Sequence, residues 1–267
     1  LSTALLKAQT SWKGTVSTSW NIAANWTAGI PTSTSDVFIG NASFTGAFQP
    51  TVNASSSCNS VTIGGMVITT LTLSRNLVVS GNFIINTNAT VIHGASTLTV
   101  RGNWINNGTY TTTSSSAKVI FGGTAQIISG TSTTSFRKID VNTGSVLSLA
   151  VNIVATGNNS LVNIYGMVDP GQSPTYSFTS TVSFKIFSGG KIKVNAASFA
   201  GNYILSGTVT LSAGCMVDYS STTVAQTINA AYTYSTLIIS GTGTKTLAAN
   251  LPTLNSTTAL TGNILVN

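Results

Sequence analysis

The chain repeats itself at a short, fixed interval. Leu77-Val-Val-Ser-Gly-Asn-Phe-Ile-Ile-Asn86 aligns with Leu98-Thr-Val-Arg-Gly-Asn-Trp-Ile-Asn-Asn107, and Ala259-Leu-Thr-Gly-Asn-Ile-Leu-Val-Asn267 repeats the frame of Val78 to Asn86. Each copy places apolar residues two apart, then Gly-Asn, then an apolar or aromatic residue. Period-2 alternation marks a strand with one face inward. Gly-Asn supplies the backbone conformations of a tight corner. An interval of about 21 residues is too short for a propeller blade of about 40–45 residues, and it has no helical half. It fits one turn of a parallel β-helix, whose coils stack ~4.8 Å apart and bury a central apolar column. Residues 56–267 therefore predict an all-β parallel β-solenoid of roughly ten coils, about 45–50 Å long. An antiparallel sandwich of hairpins is the competing architecture, but hairpins do not generate a coil-length repeat.

A longer repeat overlies this one. Val119-Ile-Phe121, Ala125-Gln-Ile-Ile128, Phe136 to Val141 and Leu149-Ala-Val-Asn-Ile153 match Val217-Asp-Tyr219, Ala225-Gln-Thr-Ile228, Tyr234 to Ile239 and Leu247-Ala-Ala-Asn-Leu251. The offset of 98 to 100 residues reads as the duplication of a unit of several coils.

Composition agrees with an all-β chain. Among 267 residues there are 11 Lys or Arg, four Asp and no Glu. A soluble helical protein needs Glu, Lys and Arg on its exposed helix faces. Here Thr, Ser, Val, Ile, Gly and Asn, the residues of strands and turns, take their place. The net charge of +7 comes from scarce acids, and its cations are scattered singly or in pairs. A phosphate-binding surface clusters them, so nucleic acid is not an expected partner. The densest stretch, Lys185 to Lys193, alternates with apolar residues and reads as a protected strand edge. No run of about 18 apolar residues is present, so no transmembrane helix is expected. Residues 1–9 read either as the remnant of a secretory signal or as a first strand. Cys58 and Cys215 belong to no C-x-x-C pair. About seven coils, or ~34 Å, would separate them, which is too far for a mutual disulfide.

Residues 1–55 do not follow the coil frame and hold Trp12, Trp20 and Trp26. A solenoid end is an open edge that needs covering, so this segment is assigned as an N-terminal cap and residues 56–267 as the solenoid. The stretch Trp12-Lys-Gly-Thr-Val-Ser-Thr-Ser-Trp20-Asn-Ile-Ala-Ala-Asn-Trp26-Thr-Ala-Gly-Ile-Pro31, followed by Asp36-Val-Phe-Ile39, resembles the opening of large repetitive surface proteins of Bacteroidetes. The coils at Gly81-Asn82, Gly102-Asn103 and Asn107-Gly108, with the Ala-Gln-x-Ile segments, are similar to the repeats that follow it there. Related Trp-rich openings occur in autotransporter-like passengers. The resemblance implies export by type IX secretion to the cell surface, and a role in adhesion or gliding motility. The C-terminal sorting domain of such proteins is not evident, so the chain is expected to be an excerpt of a longer one or to depart from them there.

Chemistry finds little foothold. Glycoside hydrolysis needs two carboxyl groups about 5 to 9.5 Å apart. The acids are Asp36, Asp140, Asp169 and Asp218, and the coil period puts Asp140 and Asp169 out of phase. His93 is the single histidine and is expected to be exposed or at a corner; one histidine makes no His-rich zinc site. No catalytic residue, cofactor or metal ligand is assigned. Seven Asn-x-Ser/Thr matches, from Asn25 to Asn255, follow from composition, and corner asparagines are expected to stack as amide ladders.

Three functions compete. The first is an extracellular adhesin-like rod or stalk acting by multivalent adhesion to surface glycans or other cells, or by end-to-end assembly into a filament. The second is a carbohydrate-binding or carbohydrate-processing β-helix, with Trp104 and Tyr110 as its glycan contacts. The third is ice binding, which needs ranks of Thr on successive coils. Thr70-Leu-Thr72 and Thr208-Val-Thr210 fall irregularly along the chain, which argues against it.

Overall fold

A computed structural model describes residues 8–181 and 183–249, together with the backbone of the strand Ile264–Val266. The fold is a parallel β-solenoid. Among the described residues helix is confined to a 3-10 turn at Ala23–Asn25 and one α-turn at Phe199–Asn202. The strands fall into two compact units, one within Leu1–Ile120 with Ser129–Thr134, the other within Phe121–Ile128 with Ser135–Asn267.

In the first unit each coil has three strands. The first face is Gln9–Ser11, Asp36–Ile39, Val61–Ile63, Phe83–Ile85 and Trp104–Asn106; the second includes Ser56–Cys58, Leu77–Val79 and Thr97–Val100; the third is Thr51–Val52, Thr69–Leu73, Ala89–His93 and Thr109–Thr112. The repeat read from sequence is the register itself. Leu98 lies opposite Leu77 and Trp104 opposite Phe83, the same pairs that the sequence repeat aligns. Alternation sends Phe83, Ile85, Val91, Leu98, Val100 and Trp104 into a fully buried column. Phe83 and Trp104 stack within it, with ring centroids 4.8 Å apart.

Strand pairing begins before residue 56, since Asp36–Ile39 pairs with Val61–Ile63 and Thr51–Val52 with Thr69–Leu73. Trp12, Trp20 and Trp26 cluster beside the outermost strand of the first face, and each is buried. Trp26 meets Trp12 and Trp20 edge-on at 4.9 and 4.7 Å. Its indole N–H donates to the Trp20 carbonyl, and that of Trp12 to the Phe48 carbonyl. Buried Asn25 pins the loop between them by accepting from the Val16 and Ser17 amides. Of the segment read as signal remnant or first strand, residues 1–7 lie outside the described residues, and Gln9–Ser11 is a strand paired with Asp36–Ile39.

The second unit continues the plan with Gln126–Ser129, Val146–Leu149, Met167–Asp169, Lys191–Val194, Met216–Tyr219, Thr236–Ile239 and Ile264–Val266 on one face. Lys138–Val141, Leu161–Ile164, Ser183–Ile186 and Thr208–Leu211 form another. Thr134–Phe136, Ile153–Ala155, Phe178–Ser180 and Tyr203–Leu205 close the coils. Coil length drifts here: Met167 lies opposite Val146, which keeps the interval of the first unit, whereas Met216 lies opposite Lys191, which exceeds it. Of the third copy of the repeat, Ile264–Val266 is described and pairs with Thr236–Ile239; the rest lies outside the described residues.

Three expectations need correction or sharpening. The longer repeat keeps its local pairing but changes face. The Asn142 amide donates to the Phe121 carbonyl in the first copy and the Ser240 amide to the Tyr219 carbonyl in the second, while Lys138–Val141 and Thr236–Ile239 lie in different sheets. The register runs from Leu147 through Val168, Ile192 and Val217 to Leu237, so the offset overshoots four coils without completing a fifth. A local motif is what recurs. Gln126 and Gln226 are buried, accepting from the Gly123 and Ser221 amides, and aromatic pairs Phe121–Phe136 and Tyr219–Tyr234 sit beside them. Corner asparagines, secondly, bond the next coil's backbone rather than one another: Asn76, Asn82 and Asn152 accept from the amides of Thr97, Asn103 and Ser177. Thirdly, Lys185, Lys191 and Lys193 lie on strands paired on both sides, not on an edge.

Truncating the ring at the centre of the tryptophan cluster removes both packing and a hydrogen bond. Trp26→Ala should destabilise the protein by about 3–5 kcal/mol, whereas Phe48→Ala, at an exposed ring, should cost within about 0.5 kcal/mol. Chemical denaturation of the two variants measures the contrast.

Candidate functional site

The residues singled out from the sequence lie inside the coils. Trp104 is fully buried, and its indole N–H donates to Thr134 Oγ1 at 3.1 Å. Tyr110 packs edge-on against it at 5.0 Å. Neither presents a ring face to solvent, so the glycan groove expected around them does not exist.

His93 is likewise buried, not exposed or at a corner. It ends the strand Ala89–His93, where alternation turns it inward. Its Nε2 lies 3.0 Å from the Ser96 carbonyl and its Nδ1 2.6 Å from the Tyr110 hydroxyl. A carbonyl only accepts, so Nε2 carries the proton, Nδ1 accepts, and Tyr110 donates. Burial lowers the His93 pKa from 6.5 to about 4, against the raising effect of the Ser96 carbonyl. Both ring nitrogens are engaged and the ring is sealed, which leaves no route to a substrate.

The carboxylates are dispersed and occupied. Asp169 accepts from Lys193 Nζ at 2.7 Å and from Asn195 and Gly171. Asp218 pairs with Lys191 Nζ at 2.7 Å and accepts from Ser240. Asp140 accepts from Asn163, and Asp36 from Asn59 and the Ser60 amide. Among the described residues no three of His, Cys, Asp and Glu gather as metal ligands, and no helix is long and apolar enough to cross a membrane. Cys58 and Cys215 are free buried thiols. Burial, helped by Asp36, pushes the Cys58 pKa up to about 12, which suppresses the reactive thiolate.

What the outer surface does offer is an aromatic corner in the second unit. Leu161–Ile164 pairs with Ser183–Ile186 in register, so the residues that follow them, Tyr165 and Phe187, fall at the same turn of successive coils. Their amides donate to the Val141 and Ile164 carbonyls, which fixes both backbones. The half-exposed rings stack with centroids 4.2 Å apart and planes 20° apart. Lys185 Nζ sits 4.4 Å from the Phe187 centroid, within cation–π range. The chain then turns sharply at Gly166 and Gly190, where an added Cβ would fall 2.3 Å from backbone carbonyl oxygens. These glycines keep the corner low beside an outward row of Val146, Met167, Lys191 and Met216, aligned by pairing. The result is an open depression of about 290 Å³ lined by Thr143, Ser145, Tyr165 and that row.

This corner is apolar, aromatic and rimmed by hydroxyls, with no group placed for acid–base or nucleophilic work. It can bind a flat C–H face. The sequence hid it because Tyr165-Gly166 and Phe187-Ser-Gly-Gly190 do not share the Gly-Asn frame; the aromatic-then-glycine pattern at one coil interval was the available signal.

No family model matches the chain, and neither a curated protein nor a solved structure is significantly similar to it.

The buried imidazole makes stability pH-dependent in a known direction. The unfolded chain takes up a proton near pH 6.5 that the fold resists until about pH 4, so the stability from neutral His93 is complete above that window and lost as pH falls through it. The loss amounts to about 3 kcal/mol. His93→Gln should abolish that share, so parent and variant should differ in the drop in denaturation free energy between about pH 7 and about pH 4.

Proposed function

We propose that the chain is a non-catalytic adhesive solenoid of a bacterial surface, a stalk-like scaffold that engages glycans along its outer corner. The observation that carries this reading is the register-aligned corner of Tyr165 and Phe187 beside the Val146–Met167–Met216 row. Pyranose rings expose C–H faces that pack on aromatic and thioether surface, while ring hydroxyls find a partner in the exposed Thr143. Coil stacking sets the paired positions of the corner ~4.8 Å apart along the stack. A linear glycan lying along the stack therefore meets a new coil at roughly each sugar unit. Single contacts of this kind are weak, and adhesion arises when many are held together.

The likeness of the Trp-rich opening to surface proteins exported by type IX secretion supports an extracellular setting. The engagement of all four aspartates in hydrogen bonds or ion pairs supports binding without catalysis. On a glycan array the full chain should bind a defined class of saccharide, and Tyr165→Ala should weaken that binding at least about tenfold, as loss of an anchoring aromatic does. Ser188→Ala, at an exposed position outside the groove, should leave it unchanged. An array without signal, or a signal indifferent to Tyr165→Ala, contradicts the reading.

A further inference from the structure

The third face of the first unit carries an order that is invisible along the chain. Threonines 51, 70, 72, 90, 109 and 111 are unevenly spaced in sequence. Strand pairing removes the unevenness. Thr70 lies opposite Thr90 and Thr90 opposite Thr109, which makes one rank. Thr51 lies opposite Thr72, Thr72 opposite Ile92 and Ile92 opposite Thr111, which makes a second rank two positions further along each strand. The expectation of irregular runs fails for this face. It holds for Thr208 and Thr210, which lie opposite Ser183 and Lys185.

Both ranks point outward, because the residues between them turn inward: Leu71, Val91 and Tyr110 are all buried. The nodes of the grid are ~4.8 Å apart between coils and ~6.6–6.8 Å apart between ranks. Each threonine node presents a methyl and a hydroxyl on a side chain with few χ1 options. Ile92 fills the one exceptional node with methyl groups. None of the six hydroxyls makes a hydrogen bond within the protein among the described residues, so their donors and acceptors face solvent. The four strands hold no Lys, Arg, Asp or Glu, hence no ion that would impose its own hydration shell. Beneath the grid the parallel ladder and the aromatic core fix its spacing.

A binding partner for such a face must itself repeat in two dimensions and offer both donors and acceptors. Protein and single glycan chains do not, and no outward ring on these strands offers a stacking platform for a sugar. Crystalline water does. We propose that this face binds ice, the ranks Thr70–Thr90–Thr109 and Thr51–Thr72–Thr111 ordering a water layer that continues into the ice lattice. The inference is independent of the glycan reading, which concerns the other unit.

The test is thermal hysteresis and ice-crystal shaping by the full chain. The parent should separate its freezing and melting points and facet the crystal. Thr90→Lys, at the centre of the grid, should lose both effects. Thr99→Lys, outward on the second face, should keep them. Ile92→Thr, which completes the second rank, should increase the hysteresis, and this gain decides the matter should Thr90→Lys fail to fold by circular dichroism. A parent no different from albumin at equal molarity overturns the proposal. So does equal loss in Thr90→Lys and Thr99→Lys, or Thr90-dependent binding to microcrystalline cellulose without hysteresis.

Discussion

Backbone hydrogen bonds between neighbouring coils decide which side chains meet in this protein. A parallel ladder fixes register to the residue, and a slip of one would turn every inward side chain outward. Once Leu77 is held opposite Leu98, Phe83 must stack on Trp104. The same constraint acts on the outside. Tyr165 stacks on Phe187, and Thr70 ranks with Thr90 and Thr109, because their backbones are locked opposite one another. Residues remote in sequence become surface neighbours with no need of direct attraction.

The interior takes the groups that a sequence reader would assign to chemistry. The four tryptophans, His93 and both cysteines are buried, since a narrow coil needs bulky or compact filler at each inward position. His93 is satisfied locally by Ser96 and Tyr110, because an unpaired polar atom in such a core is costly. The buried Trp20 indole nitrogen, without a partner among the described residues, is the exception in that set. Charge follows the opposite rule. Lys191 and Lys193 stand on the outer face and pair with Asp218 and Asp169, and Lys185 lies over Phe187. The Lys193–Asp169 pair is partly exposed on both sides, whereas Asp218 is itself covered and meets solvent chiefly through its partner Lys191.

Architecture was largely legible in the sequence, and function was not. The interval between Leu77 and Leu98 is one coil, and alternation around Gly-Asn assigned the inward positions correctly. Trp104 and Tyr110 were misplaced because an aromatic residue reads alike whether it fills a core or faces a ligand; only its phase relative to Phe83 and Val91 settles the matter. His93 shares that phase, two positions beyond Val91. The longer repeat was legible as a recurring local pairing, but the face on which each copy falls was not, because loops such as residues 170–177 and 195–202 lengthen individual coils. The threonine grid was illegible for the same reason, since it depends on coil lengths that only pairing reveals, whereas the corner of Tyr165 left only the weak signal of an aromatic before glycine at one coil interval.

Register on the outer surface is therefore the central claim, and it can be measured by proximity. Pyrene attached to cysteines introduced by Thr70→Cys and Thr90→Cys should give strong excimer emission, because ~4.8 Å separates paired positions of neighbouring strands. The native thiols should stay unlabelled in the folded protein, being buried. The same label at Thr70→Cys and Thr99→Cys, on different faces, should give monomer emission. Excimer from the second pair and none from the first would contradict the account.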